Sequence, residues 1–183
     1  MTCDKRSSVP RARLLSLLLC AVVAGSACSK TEPTEEKPSR DFYNPALDIH
    51  LVNLDAQWTD PVNSTTETEV SLASTERGGT VQISQGPEEN GVNLVAAVEN
   101  HRQSILSRTD GAYSGAQELA GPMGAAFYSR GRFTSEDQMM EETAIAALHP
   151  RSSRVLWLTY VYPAGDDSSE RVTELIELFS SVE

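Results

Sequence analysis

In "LDIHLVNL", Leu47, Ile49 and Leu51 alternate with more polar neighbours, the period-two mark of a strand, and Trp58 closes the region. "TEVSLAS" repeats the alternation with Val70 and Leu72, and "TVQISQ" with Val81 and Ile83. Between them Gly78-Gly79 is a hairpin signal. Gly86-Pro87 then ends the alternation, and the period changes. Leu94, Val98, His101 and Ile105 fall on one helical face, with Asn90 or Asn93 available to cap its start. "RTDGAYSG" has the composition of a loop. "GAAFYSRGRFT" and "MMEETAIAALH" predict two longer strands joined near Ser135-Glu136-Asp137. "RVLWLTYVY" is apolar on both faces, which predicts a central strand covered on both sides. After a turn over residues 163–167, Val172, Leu175, Ile176, Phe179 and Val182 make a helical stripe. Asp167 and Glu170 stand at capping-box spacing before it. Hairpin-scale links outnumber crossovers, so the pattern predicts an α+β fold: a mostly antiparallel sheet covered by two helices.

The first forty residues follow different rules. Lys5, Arg6, Arg11 and Arg13 precede an apolar run from Leu14 to Ala24, which ends in the small residues Gly25, Ser26 and Ala27. A signal sequence has this order, with an apolar stretch of roughly 7–15 residues. A membrane-spanning helix needs about 20. Residues 1–27 therefore read as a cleaved signal peptide. Gly25-Ser26-Ala27-Cys28 resembles a bacterial lipobox, whose cysteine becomes the acylated first residue. Cys3 and Cys20 leave with the leader, so Cys28 is the one cysteine of the mature chain and no internal disulfide can form. The alternative is plain secretion with a spare thiol. Ser29, rather than Asp, follows the cysteine; by resemblance to the enteric sorting rule this points to the outer membrane, facing the periplasm. The polar, Pro-containing stretch up to Arg40 reads as a flexible tether. Residues 1–27, 28–40 and 41–183 are thus leader, lipidated linker and a single domain.

Charge narrows the function. The chain carries 15 Lys and Arg against 26 Asp and Glu, a net charge of −11. Loss of the leader removes four basic residues and one acidic residue and takes it to about −14. Such a domain has no nucleic-acid footprint, and an anionic membrane surface repels it, leaving attachment to the lipid.

The order of elements resembles the PsbP-like family, which includes PsbP, a Ran-binding nuclear import factor, the lipoproteins DcrB and LpqN, and chaperones of type VI secretion effectors. The resemblance lies in "LDIHLVNLDAQW", "VNLVAAVENHRQSIL", "ELAGPMGAAFYSRGR" and "VLWLTYVYPAG" followed by "SERVTELIELFSSV". It implies a non-enzymatic domain that binds and stabilises partners.

Catalytic motifs are missing: there is no P-loop, dinucleotide fingerprint, G-x-S-x-G elbow or S-x-x-K. His50, His101 and His149 are far apart and not at metal-ligand spacing. They read as one helix-face histidine and two at strand positions or ends. Glu136, Asp137, Glu141 and Glu142 offer carboxylates, but on an acidic protein they read as a solvated turn and strand edge. No cofactor or metal is expected. Trp58, Trp157 and Tyr160 are the candidates for lining a ligand groove, against the simpler reading of core aromatics. The sequence thus predicts a lipid-anchored envelope module that binds an envelope protein or a small apolar ligand. The alternative is an envelope hydrolase or metal-dependent enzyme with scattered residues.

Overall fold

The computed structural model describes residues 40–183, apart from Glu67, residues 87–92, Ser153 and Asp166. The expected leader, Cys28 and all of the tether except Arg40 lie outside the described residues. The elements are β1 (Arg40–Asn44), β2 (Ile49–Leu54), β3 (Val62–Asn63), β4 (Glu69–Ala73), β5 (Thr80–Gln85), α1 (Leu94–Leu106), β6 (Ala112–Gly121), β7 (Gly124–Ser135), β8 (Gln138–Leu148), β9 (Val155–Pro163) and α2 (Ser168–Ser180).

The predicted α+β class holds. β3 to β9 form one antiparallel sheet in the order β3-β4-β5-β9-β8-β7-β6, and β1 and β2 pair as a separate hairpin. β9 is the middle strand, which is why "RVLWLTYVY" is apolar on both sides. Leu156, Leu158, Tyr160 and Tyr162 face α2, and Val155 and Trp157 face α1. On the α2 face a large core joins the β1–β2 hairpin to β4, β5, β8, β9 and α2. On the α1 face a smaller cluster gathers Leu94, Val98, Ala146 and Val155, with Phe127 and Trp157 against it.

Local chemistry sets the joints. Asn93 caps α1, its side chain accepting from the Val95 and Ala96 amides. Glu136 and Asp137, at φ 51° and 63°, make the two-residue turn between β7 and β8, the left-handed pair that a tight hairpin requires. The C-terminal residues bond back to β2: His50 N–H donates to the Glu183 carbonyl at 3.0 Å, and Glu183 N–H to that of His50 at 2.8 Å. This return path draws α2 and the hairpin into one layer.

Four expectations need correction. Arg40, assigned to the tether, begins β1, where its guanidinium reaches Asp60 at 2.7 Å and the Asp55 and Trp58 carbonyls at 2.6 Å each. Leu47 is buried as expected but lies in the turn before β2, which starts at Ile49. The loop expected over 108–115 gives way at Ala112 to the ten-residue strand β6. Finally, Asp167 makes no side-chain cap to α2; Arg171 and Arg77 occupy its carboxylate, and Glu170 pairs with Arg77. Two nearby guanidiniums outcompete backbone amides for these carboxylates.

Two glycines make room for the helices. A methyl group at Gly131 would come within 2.5 Å of the fully buried Ile105 of α1, and one at Gly121 within 2.0 Å of Phe179 of α2. Gly131→Ala should therefore destabilise the domain by about 1–3 kcal/mol through overpacking. A urea midpoint unchanged from wild type would show that α1 seats without this notch.

Candidate functional site

β8 carries two successive glutamates, expected in solvent and found buried at 2 and 3 % exposure for Glu141 and Glu142. Adjacent strand residues point to opposite faces, so each carboxylate needs its own partners. Glu142 faces α1. Its Oε1 lies 2.7 Å from His101 Nε2, and its Oε2 accepts from Arg108 at 2.7 Å. A carboxylate only accepts, so His101 carries its proton on Nε2, and Nδ1 receives the Ser129 hydroxyl at 3.1 Å. The ring lies 5.4 Å from that of Trp157, and the Arg108 guanidinium stacks 4.3 Å above Phe133. Burial pushes the Glu142 carboxyl up; the His101 and Arg108 hydrogen bonds overcome it and hold the group below the ordinary glutamate range.

Ser129, His101 and Glu142 have the residue types of a nucleophilic triad. Ser129, however, is 1 % exposed, under α1, so no substrate carbonyl reaches its Oγ. What this arrangement does chemically is clamp α1 to β7 and β8. It was only half legible: the apolar face of α1 showed His101, but nothing local pairs it with a residue forty-one positions on.

Glu141 faces α2. Arg132 reaches it at 2.7 Å, Arg130 at 3.2 Å, and the Ser168 hydroxyl donates to it from the first residue of α2. Burial raises this carboxyl too, and the Ser168 and Arg132 hydrogen bonds with both arginine charges bring it below its ordinary value. Farther along α2, the buried Arg171 donates to the Gly78 carbonyl at 2.7 Å and to the Tyr160 hydroxyl at 3.1 Å. Its guanidinium lies 4.8 Å above the Tyr162 ring. Glu174 joins the cluster through Arg77 at 2.7 Å and the Tyr160 hydroxyl at 3.3 Å. These bonds fasten the β4–β5 turn to the helix.

The three aromatic candidates separate. Trp58 and Tyr160 are buried together on the α2 face, rings 5.6 Å apart and edge to face. The rim of Trp58 borders a cleft of about 330 Å³ with Asp55, Gln57, Glu177 and Ser181. Trp157 is half-buried on the opposite face, against His101. The three therefore do not line one groove. His50 lies in β2, His101 on α1 and His149 just beyond β8, and among the described residues no three His, Cys, Asp or Glu could hold a metal ion.

A groove that the sequence did not reveal lies between α1 and β6. Val95, Val98, Glu99 and Arg102 form one wall, Tyr113 and Ala116 the other, and Phe127 closes it, enclosing about 210 Å³. At Phe127 it adjoins a second, larger hollow over the β6–β7 hairpin, about 410 Å³ lined by residues such as Leu119, Ala120, Ala125 and Ala126. β6 pairs with β7 alone among the described strands, so its outer edge is open. The one signal was the small residues Ala116, Ala120 and Ala125, which leave this sheet face low.

No family model matches the chain, and no curated protein matches it in sequence. Solved structures do. Cyanobacterial PsbP from Synechocystis sp. superposes at a TM-score of 0.56 with 10 % identity, covering 79 % of this chain and 92 % of that one. The fold is PsbP-like. The Ran-binding protein Mog1p of Saccharomyces cerevisiae matches at 0.54 and 8 % identity, over 80 % of this chain and 95 % of its own. LpqN of Mycobacterium tuberculosis, described as involved in cell envelope biogenesis, matches at 0.52 and 11 %, over 80 and 84 %. At such identities the likeness is one of fold. The PsbP-like fold is here braced by buried carboxylates on both faces.

The depressed glutamates give a signed pH dependence. A group whose pKa is lower folded than unfolded stabilises the protein above its unfolded value, and that contribution is lost as pH falls through the folded one. Stability should thus decline below about pH 4.5, near the free glutamate pKa. Glu142→Gln should cost about 2–4 kcal/mol at neutral pH, because it leaves the Arg108 guanidinium without its counter-charge. It should also flatten the acid decline. Urea unfolding from pH 3 to 7 measures both; an unchanged acid slope would show that Glu142 is not charged in the fold.

Proposed function

We propose that the protein is a lipid-anchored, non-enzymatic binding module of the bacterial cell envelope, acting as an accessory or chaperone-like factor. The observation that carries this reading is the α1–β6 groove beside an open sheet edge. It offers a partner an apolar recess and free backbone groups together. The fold supports it at a coarser level: Mog1p is named for binding another protein, and LpqN for a part in envelope biogenesis.

The anchor rests on Gly25-Ser26-Ala27-Cys28 behind a basic and apolar leader. No described helix is long and apolar enough to cross a membrane, and the reading assigns attachment to acyl chains on Cys28. At about 0.8 kcal/mol per buried methylene, two chains already hold a protein stably. The polar linker then lets an acidic domain stand off the bilayer. Ser29 after the cysteine favours the outer membrane.

Cys28→Ser should yield a folded protein recovered in the soluble fraction after high-salt washing, whereas wild type stays with membranes. Intact-mass measurement of the native protein should show a diacyl or triacyl N-terminus at Cys28. A substituted protein that still sediments with washed membranes would remove the lipid from the account.

A further inference from the structure

We infer that β6 is a receptor strand. It takes an extended segment of another protein, with alternating apolar and basic side chains, as an eighth strand of the sheet. This rests on the binding-module reading and names the chemistry of its partner.

Three observations converge. The first is the edge. β6 runs ten residues, from Ala112 to Gly121, and among the described strands pairs with β7 alone. Its residues 114–118 and Ala120 are exposed. Edge strands are ordinarily blunted by lysine, proline or shortness. β6 contains neither residue, and its register shift is confined to the stretch between Tyr113 and Gly115, leaving Ala116–Gly121 regular.

The second is the recess beside the edge. By register, Ala116 lies opposite Ser129 and Glu118 opposite Phe127, which puts both on the α1 face. An added strand alternates its side chains between faces. Every second side chain would meet the hollow bounded by Val95, Val98 and Phe127. Backbone pairing at an edge, with alternate side chains entering a groove next to a helix, is an established form of peptide recognition.

The third is charge. Residues 40–183 contain arginine but no lysine. Arg40, Arg77, Arg102, Arg108, Arg130, Arg132, Arg151 and Arg171 each pair with a carboxylate of the same chain. Arg102, the cation at the groove, is held by Glu99 at 2.9 Å. Glu99 and Glu118 are exposed at the groove and its adjoining hollow. Glu118 makes no ion pair among the described residues, and residues 40–183 hold 22 Asp and Glu against nine Arg, so the excess charge that β6 meets is negative, which attracts a basic strand and repels a second copy of this chain.

The test uses the full-length protein in detergent and a fluorescein-labelled ten-residue peptide of alternating valine and lysine. Its controls are the valine–glutamate counterpart and two versions N-methylated at alternate residues in either phase. We expect the valine–lysine peptide to bind at least about tenfold more tightly than the glutamate peptide. One N-methyl phase should abolish binding and the other preserve it, because only alternate amides of an added strand face β6. Ala116→Trp, which fills the recess, and Glu118→Arg should each weaken binding about tenfold or more. Unchanged thermal unfolding of both variants would show that the fold is intact. Equal binding of both N-methyl phases, or indifference to both substitutions, overturns strand addition. So does a dimer in light scattering that Ala116→Trp dissolves, since a second copy would then fill the edge.

A parallel measurement separates this proposal from the reading beneath it. Photo-crosslinking p-benzoylphenylalanine is placed in intact cells at Gln117, Tyr43 or Glu177. Adducts at Gln117 alone agree with the peptide result. Adducts only at Tyr43 or Glu177 overturn the β6 site while keeping a binding module. No adduct at any of the three overturns the module itself.

Discussion

Glu141 and Glu142 stand side by side on β8, and both are buried. Removing a carboxylate from water costs several kcal/mol unless cations and donors replace its hydration. Because the two point to opposite faces, the sheet needs partners on both. α1 and the turn after it bring His101 and Arg108 to one; the sheet's own Arg130 and Arg132, with Ser168 of α2, meet the other. Apolar packing alone lets a helix slide along a sheet with little penalty. A buried charge admits few positions, so these carboxylates fix where each helix begins or crosses. The glycine notches at Gly121 and Gly131 then set how closely the helices approach.

This constraint explains which parts of the molecule the chain declared in advance. β9 and α2 announce themselves because many apolar residues agree on one period. The middle position of β9 follows from apolar side chains on both faces. The two glutamates were misleading for the same reason that makes them important. Solvation is the normal fate of an acidic pair, and their compensation comes from residues nine to forty-one positions away. Local pattern carries no trace of that pairing. β6 failed differently: "AYSGAQELAG" has too few large side chains to show alternation, and only its pairing with β7 makes it a strand. The Asp167–Glu170 spacing was real, but Arg77 and Arg171 claimed the carboxylates.

The aromatic residues divide along the same plane. Trp58, Tyr160 and Tyr162 form a run of rings, with neighbouring centroids 5.6 and 4.9 Å apart, roofed by the Arg171 guanidinium. Burial raises the hydroxyl pKa of both tyrosines, and each hydroxyl finds a polar partner, so they bury large area without an orphaned group. Trp157 does a separate task, backing the His101 ring on the other face. Sequence shows that large rings exist on a central strand; it is the alternation along β9 that sends neighbours to different layers.

Helix and strand dimensions explain why the opening falls beside α1. α1 has 13 residues, spanning about 20 Å at 1.5 Å each. β7 has 12, spanning about 40 Å at 3.3 Å each. One short helix therefore cannot roof the β6–β7 hairpin from end to end, and the Glu142 clamp prevents it from shifting toward the tip. The stretch left bare on this face is built from Ala116, Ala120 and Ala125, which limits the exposed apolar area while leaving backbone groups accessible. On the α2 face the β1–β2 hairpin and the returning C-terminus share the cover with the helix. The same buried charges that make the fold specific thus leave one edge and one recess for a partner to complete.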